Sequence, residues 1–193
     1  MNELTKQILA DPNIPEESLT KMLVDQYYTY IVRLAASILR DMAEAEDVAQ
    51  ETFISALLHI ESVDPNTNVK AWLSTIAVNK CRDLMRRRKV KQKFQTIMET
   101  FWDRPDPTTL PERMAMHEES ASRLWTAVDQ LKDKHRLPIL LRYGHNLSIR
   151  EIAEVLETKE GTIHSRLHYA YKKLQVQLDM SDAPAMLAEG VSR

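Results

Sequence analysis

The chain has 193 residues, 44% hydrophobic and 28% charged, which is enough for one large or two small buried cores. A single cysteine, Cys81, excludes a disulfide framework and a cysteine-based zinc site. No apolar run reaches membrane-spanning length and residues 1–12 are too polar for a secretory signal, so we expect a cytoplasmic protein without a membrane partner. With only three glycines and little β-branched alternation, the sequence predicts an all-α fold.

Charge is distributed in blocks along the chain, although the net charge is only −2. Residues 1–66 carry a net charge of −8 and residues 67–93 a net charge of +8. The following blocks, 94–133 and 134–178, carry −4 and +4. Two separated basic blocks favour two separate contacts with a polyanion over one diffuse basic surface.

The N-terminal half has the pattern of three helices. Apolar periodicity predicts a helix over 18–40 and a second over 43–60, whose acidic residues crowd toward its start, where the helix dipole favours them. Residues 61–68, ESVDPNTN, are a loop by composition. A long third helix is predicted over 69–93, and it ends in a strongly basic run.

Five polar residues near the end of this third helix recur at helical spacing. Asparagine is suited to reading adenine, and lysine and arginine are suited to holding phosphates, so the group indicates a second nucleic-acid surface. The alternative, which the residues leave open, is a solvated basic helix end whose cations complement the helix dipole. The five residues are Asn79, Lys80, Asp83, Arg86 and Arg87.

The helical pattern stops between residues 94 and 111, where Pro105, Pro107 and Pro111 cluster. This segment is predicted to be a linker between domains. Helical periodicity resumes near residue 112, a short helix is predicted over 134–143, and residues 179–193 have the composition of a frayed tail.

Residues 147–174 have the pattern of a helix-turn-helix. Ser148 and Glu151 form a capping-box motif that predicts the start of the first helix. The second helix has a buried stripe, Ile163, Leu167, Ala170, Tyr171 and Leu174. Its outward side chains suit base edges and phosphates, although an ordinary hairpin with a solvated basic face has the same pattern. They are His164, Ser165, Arg166, His168, Tyr169 and Lys172.

Three segments in this order resemble the extracytoplasmic-function sigma factors of the sigma-70 family of bacterial RNA polymerase. They are AEDVAQETFISAL at 45–57, VKAWLSTIAVNKCRDLMRRRK at 69–89, and the helix-turn-helix segment from Leu141. The resemblance implies two small helical domains joined by a flexible linker. Region 2 would occupy residues 1–93, the linker 94–111, region 4 with its helix-turn-helix 112–178, and a tail 179–193.

The resemblance also implies what the protein does and which residues do it. It implies binding to core RNA polymerase and promoter DNA, control by an anti-sigma factor, and neither catalysis nor a cofactor. Asp47, Gln50, Glu51 and Phe53 match the polymerase-binding segment, although Phe53 fits a core position equally well.

The DNA-reading positions follow from the same resemblance. Asn79 and Asp83 match positions that face the −10 element, and residues 62–68 match a loop that captures a flipped base. The outward residues of the second helix-turn-helix helix match the −35 reader. Tyr169 and Tyr171 stand where the family often has arginine, and Glu157 replaces a small residue common in the turn, so the family's −35 preference does not carry over to this chain.

Three rival functions are a classical helix-turn-helix regulator, a nucleic-acid enzyme with an accessory helix-turn-helix, and an anti-termination or polymerase-associated factor. The sequence has no recognisable catalytic constellation for the second, and the resemblance disfavours the third. A classical helix-turn-helix regulator, acting as a dimer without polymerase core, would leave the basic helix unexplained and would need a dimerisation element, yet no heptad is sustained. The acidic segment from Asp103 to Pro107 either follows the path of nascent RNA through the polymerase or is a simple tether. His164 and His168 have the spacing of a metal pair but have no evident third ligand, so we expect no metal.

Overall fold

A computed structural model describes residues 16–60, 63–64, 67–99 and 119–178 of the chain, and every regular element in these ranges is helical. The predicted all-α fold is confirmed. The helices are α1 (Glu16–Leu39), α2 (Met42–His59), α3 (Val69–Glu99), α4 (Glu119–Asp129), α5 (Asp133–Ile139), α6 (Ile149–Val155) and α7 (Glu160–Gln177), with one π-helical turn at Leu140–Gly144.

The helix boundaries follow the predictions closely in most places. Helices α1 and α2 begin and end within two residues of the predicted limits. Helix α3 continues to Glu99, six residues past the predicted end at Lys93 and into the predicted linker. The rest of that linker, residues 112–118 of the predicted C-terminal domain, the tail 179–193, and residues 62, 65 and 66 of the predicted base-capturing loop lie outside the described residues.

The turn between α1 and α2 is short because two residues reverse the chain. Arg40 adopts a left-handed backbone with φ of 60°, and its N–H donates to the Ala36 carbonyl at 2.8 Å. Asp41 then caps α2, because its Oδ1 accepts from the Glu44 N–H at 3.0 Å. This cap satisfies one of the N–H groups that a helix start leaves without a partner.

The described residues form two compact units, and the first comprises residues up to Leu84 together with Leu140–His164. The largest side chains of its core are less than 2% exposed, and each contributes about 1.5–3 kcal/mol by burial. They come from α1, α2, α3, the π-helical turn and the helix-turn-helix, and include Ile31, Leu34, Ile38, Val48, Leu73, Leu141, Leu147 and Ile152.

The second unit comprises Met85–Ile139 and the chain from Ser165 onward. Val128, Leu137 and Leu174 are in its core. Arg136 is only 4% exposed in this unit. Its guanidinium is 3.8 Å from a carboxylate oxygen of Asp129 and 3.8 Å from one of Asp133, so the buried charge is compensated.

The two compact units divide the chain differently from the predicted domains. Residues 140–164, which the sequence assigns to the C-terminal domain, pack with the N-terminal helices. The predicted domain limits therefore stay a prediction about how the family organises its sequence. None of the described helices is both long enough and apolar enough to cross a bilayer.

Candidate nucleic-acid interface

The helix-turn-helix is built by two local motifs. Ser148 Oγ accepts from the Glu151 N–H at 3.2 Å, and Glu151 Oε2 accepts from the Ser148 N–H at 2.7 Å, which confirms the predicted capping box. At the other end of α6, the Thr158 N–H donates to the Ala153 carbonyl at 2.9 Å and the Glu157 N–H to the Glu154 carbonyl at 3.1 Å. This is a Schellman motif, with Glu157 at the left-handed position that glycine usually occupies, at φ of 50°.

Helix α7 has the two faces that its sequence predicts. The five residues of the predicted stripe are all buried, so Tyr171 is a packing residue. Of the six predicted DNA-binding residues, five are exposed and Arg166 is half-buried. In the described part of the chain, no group of three or more potential metal ligands includes His164 and His168.

His135 lies beneath the exposed side of α7 and was not singled out by its sequence context. Its ring stacks on the Tyr169 ring, with centroids 4.2 Å apart and an interplanar angle of 23°. Its Nδ1 lies 3.4 Å from the Arg166 carbonyl oxygen. Burial lowers the pKa of His135 below its ordinary value, and the nearby Lys134, Arg166 and Lys173 act in the same direction, against the opposing effect of the hydrogen bond.

The predicted −10 residues lie along α3, and two of them have partners elsewhere in the first unit. Asn79 Nδ2 donates to Glu157 Oε1 at 2.9 Å. Lys80 Nζ forms an ion pair with Glu51 Oε2 at 3.2 Å, which joins a predicted −10 residue to a predicted polymerase residue. Asp83 is exposed in the first unit, whereas Arg86 and Arg87 are exposed on the part of α3 that belongs to the second.

Asn68 connects the end of the predicted loop to the helix-turn-helix within the first unit. Its Oδ1 accepts from the Ala71 N–H at 3.2 Å, which caps α3, and its Nδ2 donates to Glu151 Oε1 at 2.7 Å. Burial raises the pKa of Glu151, but hydrogen bonds from Ser148 and Asn68 and the charge of Lys70 outweigh it, so the pKa lies below its ordinary value.

A second polar cluster in the first unit surrounds His145. Ser37 Oγ donates to the Leu34 carbonyl at 2.8 Å and lies 3.0 Å from His145 Nε2, so the imidazole N–H is the donor in that contact. Lys70 Nζ donates to the His145 carbonyl at 3.2 Å. Burial, followed by the charge of Lys70, lowers the pKa of His145 to about 4.

Tyr30 completes this cluster. Its ring meets the His145 ring edge-on at 5.7 Å, and Lys70 Nζ lies 4.7 Å from its centroid. The Tyr30 hydroxyl is 3.0 Å from Ser74 Oγ, and burial raises the pKa of this phenol. Sequence reasoning missed the cluster because His145 has no local signal and contacts residues distant in the chain.

The predicted polymerase-binding residues of α2 divide by exposure. Asp47, Gln50 and Glu51 are exposed. Phe53 is 6% exposed and stacks on Tyr28 with ring centroids 6.2 Å apart, so its side chain occupies the core position that the sequence also allowed. Ile54 is instead 59% exposed and Leu58 78% exposed. Ile54 and Leu58 follow Gln50 and Glu51 at helical spacing, so they lie on the same side of α2. This spacing could have identified them from the sequence.

Two family models match the chain, Sigma-70 region 2 over residues 23–90 and Sigma-70 region 4 over residues 121–174. The chain is 33% identical over 162 residues to the ECF RNA polymerase sigma factor SigW of Bacillus subtilis, covering 81% of this chain and 87% of that one. It is also 33% identical over 168 residues to the ECF RNA polymerase sigma factor SigL of Mycobacterium tuberculosis, covering 84% of this chain and 90% of that one.

Solved structures have the same fold. The sigma factor RpoE of Bartonella quintana, crystallised with the anti-sigma factor NepR, superposes with a TM-score of 0.64 at 24% identity, over 83% of this chain and 97% of that one. CnrH, in complex with the cytosolic domain of CnrY, gives a TM-score of 0.64 at 23% identity, over 92% of this chain and 97% of that one.

Proposed function

The chain belongs to the extracytoplasmic-function sigma factors of the sigma-70 family, and on that premise we propose which of its surfaces perform each step. As a sigma factor it binds core RNA polymerase and directs promoter-specific transcription initiation. The classical helix-turn-helix regulator is not favoured, because region 2 matches residues 23–90, well outside the helix-turn-helix.

The outward side of α7 is proposed to read the −35 element. The observation that carries this assignment is the division of α7 into a fully buried stripe and a polar, exposed side within the region 4 match. Side chains on that side can donate hydrogen bonds to base edges and phosphates in a major groove. The residues are His164, Ser165, Arg166, His168, Tyr169 and Lys172.

The −10 element is assigned to α3, with Asn79 as the base reader and Lys80, Arg86 and Arg87 as phosphate contacts beside Asp83. In the free protein the Asn79 amide donates one of its two N–H groups to Glu157 and its Oδ1 accepts from Arg82 at 3.3 Å, so a base contact that needs another orientation of the amide must break these bonds. An exposed hydrogen bond of this kind contributes about 0.5–1.5 kcal/mol, which favourable DNA contacts can offset.

For polymerase binding we assign the exposed side of α2. Asp47, Gln50 and Glu51 supply acidic and polar groups, and Ile54 and Leu58 add exposed apolar area beside them. Such a combination of an apolar centre with a charged rim is typical of protein interfaces. Phe53 supports this side from within the core through its stack on Tyr28.

Further assignments rest on the family alone. We propose that an anti-sigma factor holds the protein inactive, supported by the structures of RpoE with NepR and of CnrH with CnrY. We also propose that the protein acts in the cytoplasm, catalyses no reaction of its own, and is organised as region 2 in residues 1–93 and region 4 in residues 112–178.

The test is reconstitution with cognate core polymerase on a library of promoter sequences, followed by sequencing of the transcripts. We expect transcripts from promoters that share two short elements, and none from core alone. An active core that gives no promoter-specific transcripts with the protein would reject the assignment. Tight, specific binding of duplex DNA by the free protein in a gel shift would instead support the classical regulator.

A further inference from the structure

The His135 imidazole contacts two residues, Arg166 and Tyr169, of the α7 surface that is proposed above to read the −35 element. Arg166 and Tyr169 are three residues apart, so they are neighbours on one side of the helix. The His135 ring stacks on the Tyr169 ring and reaches the Arg166 carbonyl with Nδ1 at 3.4 Å. His135 itself is 9% exposed, so its contacts are made from within the second unit.

The contact with Arg166 places a hydrogen on Nδ1 of the imidazole. A carbonyl oxygen only accepts, so Nδ1 carries the hydrogen and Nε2 is unprotonated in the neutral ring. The lowered pKa of His135 agrees with a neutral ring at ordinary pH. His135 is therefore a flat, uncharged ring, suited to stacking against a phenol.

The Tyr169 ring contacts His135 on one face and is exposed to solvent elsewhere. It is 53% exposed despite the stack, so the part of the ring away from His135 faces solvent. Its neighbours on α7, Ser165, Arg166 and Lys172, are polar or cationic. Tyr169 thus offers an apolar, pre-positioned group in surroundings suited to DNA, and its stack reduces the side-chain entropy that binding would otherwise remove.

We infer that His135 is a positioning residue that holds the Tyr169 ring as an apolar contact for a thymine methyl group in the −35 element. Among the bases, thymine alone presents a methyl group in the major groove, and apolar side chains recognise it there. Tyrosine cannot make the bidentate guanine contact that arginine makes, so Tyr169 would give this protein a different −35 preference. The inference rests on the proposed role of α7.

The experiment uses holoenzyme and a promoter selected from the library, in which each thymine of the −35 element is replaced singly by deoxyuridine. This change removes only the methyl group. Burial of one such group corresponds to about a fourfold change in affinity, so we expect about a fourfold loss of open-complex formation at one position. Tyr169→Ala should abolish the difference between thymine and deoxyuridine at that position only.

Variants of His135 separate positioning from folding. His135→Ala should also abolish the discrimination at that position, whereas His135→Phe should retain it because the stack survives without Nδ1. Gln175→Ala, an exposed change on the same helix, should leave discrimination intact. If His135→Ala fails to fold, as judged by circular dichroism, His135→Leu, which fills the site without an aromatic ring, replaces it and should also abolish the discrimination.

The outcomes that would overturn the inference are distinct from failure of the proposed function. Equal activity with thymine and deoxyuridine at every position, on a promoter that still needs its −35 element, rejects the thymine contact. Retained discrimination in a folded His135→Ala variant, or lost discrimination in His135→Phe, rejects positioning by the stack. Absence of any promoter-specific transcript rejects the proposed function itself.

Discussion

Asn79 and Glu157 are joined by a hydrogen bond of 2.9 Å, although 78 residues separate them in the chain. The bond occupies the side-chain amide that is proposed to read the −10 element. The bond uses one of the two N–H groups and, with the Arg82 contact at Oδ1, holds the amide in one orientation. A DNA contact that needs another orientation therefore competes with Glu157, and weakening the contact with Glu157 should strengthen the contact with DNA.

Replacing Glu157 with alanine should tighten binding of the free protein to a single-stranded oligonucleotide that carries the −10 element. The expected gain is about two- to threefold, since an exposed hydrogen bond lies at the low end of the usual 0.5–1.5 kcal/mol. Fluorescence anisotropy measures it. Glu157→Gln keeps the acceptor oxygen and should leave the affinity unchanged. Equal affinities for the wild type and the alanine variant would show that the bond does not compete with DNA.

The backbone conformation of Glu157 leads to a prediction about thermal stability. Glu157 adopts φ of 50° in the Schellman motif, where a side chain costs about 1 kcal/mol relative to glycine. Glu157→Gly should therefore raise the thermal midpoint despite losing the bond to Asn79. Asn146→Gly is the matched control, because Asn146 has φ of 55° but asparagine tolerates this region, so its gain should be smaller. A lower midpoint for Glu157→Gly would mean that the hydrogen bond outweighs the strain.

Local sequence signals predicted most of the helices, and contacts distant in sequence account for what was missed. The Ser148–Glu151 capping box and the α7 stripe are set within one or two turns, so periodicity and capping rules identify them. Phe53 is different, because apolar spacing alone allows both a core and a surface role. The stack on Tyr28, which is 25 residues away in the chain, shows that its side chain is in the core. The contact between Ser37 and His145 spans 108 residues, and no local pattern indicates it.

The half-buried imidazole of His145 predicts how the free energy of unfolding depends on pH. Its pKa is about 4 in the folded protein, against an ordinary value of 6.5, so the unfolded chain binds the proton more tightly. Stability from this group is complete above pH 6.5 and falls as the pH drops toward 4. Between pH 7.5 and pH 5 the loss should be about 2 kcal/mol.

Urea unfolding at the two pH values measures this loss. His145→Gln should remove about 2 kcal/mol of the difference, because glutamine does not titrate, and His135, whose pKa is also lowered, accounts for part of what remains. Gln175→Ala is the control, because it changes an exposed side chain and removes no titratable group, and it should keep the pH dependence of the wild type. The same pH dependence in His145→Gln and the wild type would assign the effect to other groups.

Truncating exposed apolar residues of α2 should weaken polymerase binding, whereas truncating a buried one should lower stability. Ile54→Ala and Leu58→Ala should leave the thermal midpoint unchanged within experimental error, because both side chains are mostly exposed. Each should weaken core polymerase binding about fivefold or more, because the proposal places both at the centre of the interface. Phe53→Ala should destabilise the protein by about 3–5 kcal/mol through loss of its packing.

The control for this comparison is Met42→Ala. Met42 is also exposed, at 58%, but it lies at the start of α2, three turns from Ile54, and should affect neither quantity. Surface plasmon resonance with immobilised core polymerase measures the affinity, and calorimetry measures the midpoint. Unchanged polymerase affinity in the double variant Ile54→Ala/Leu58→Ala would remove these two residues from the interface and leave Asp47, Gln50 and Glu51 as its proposed centre.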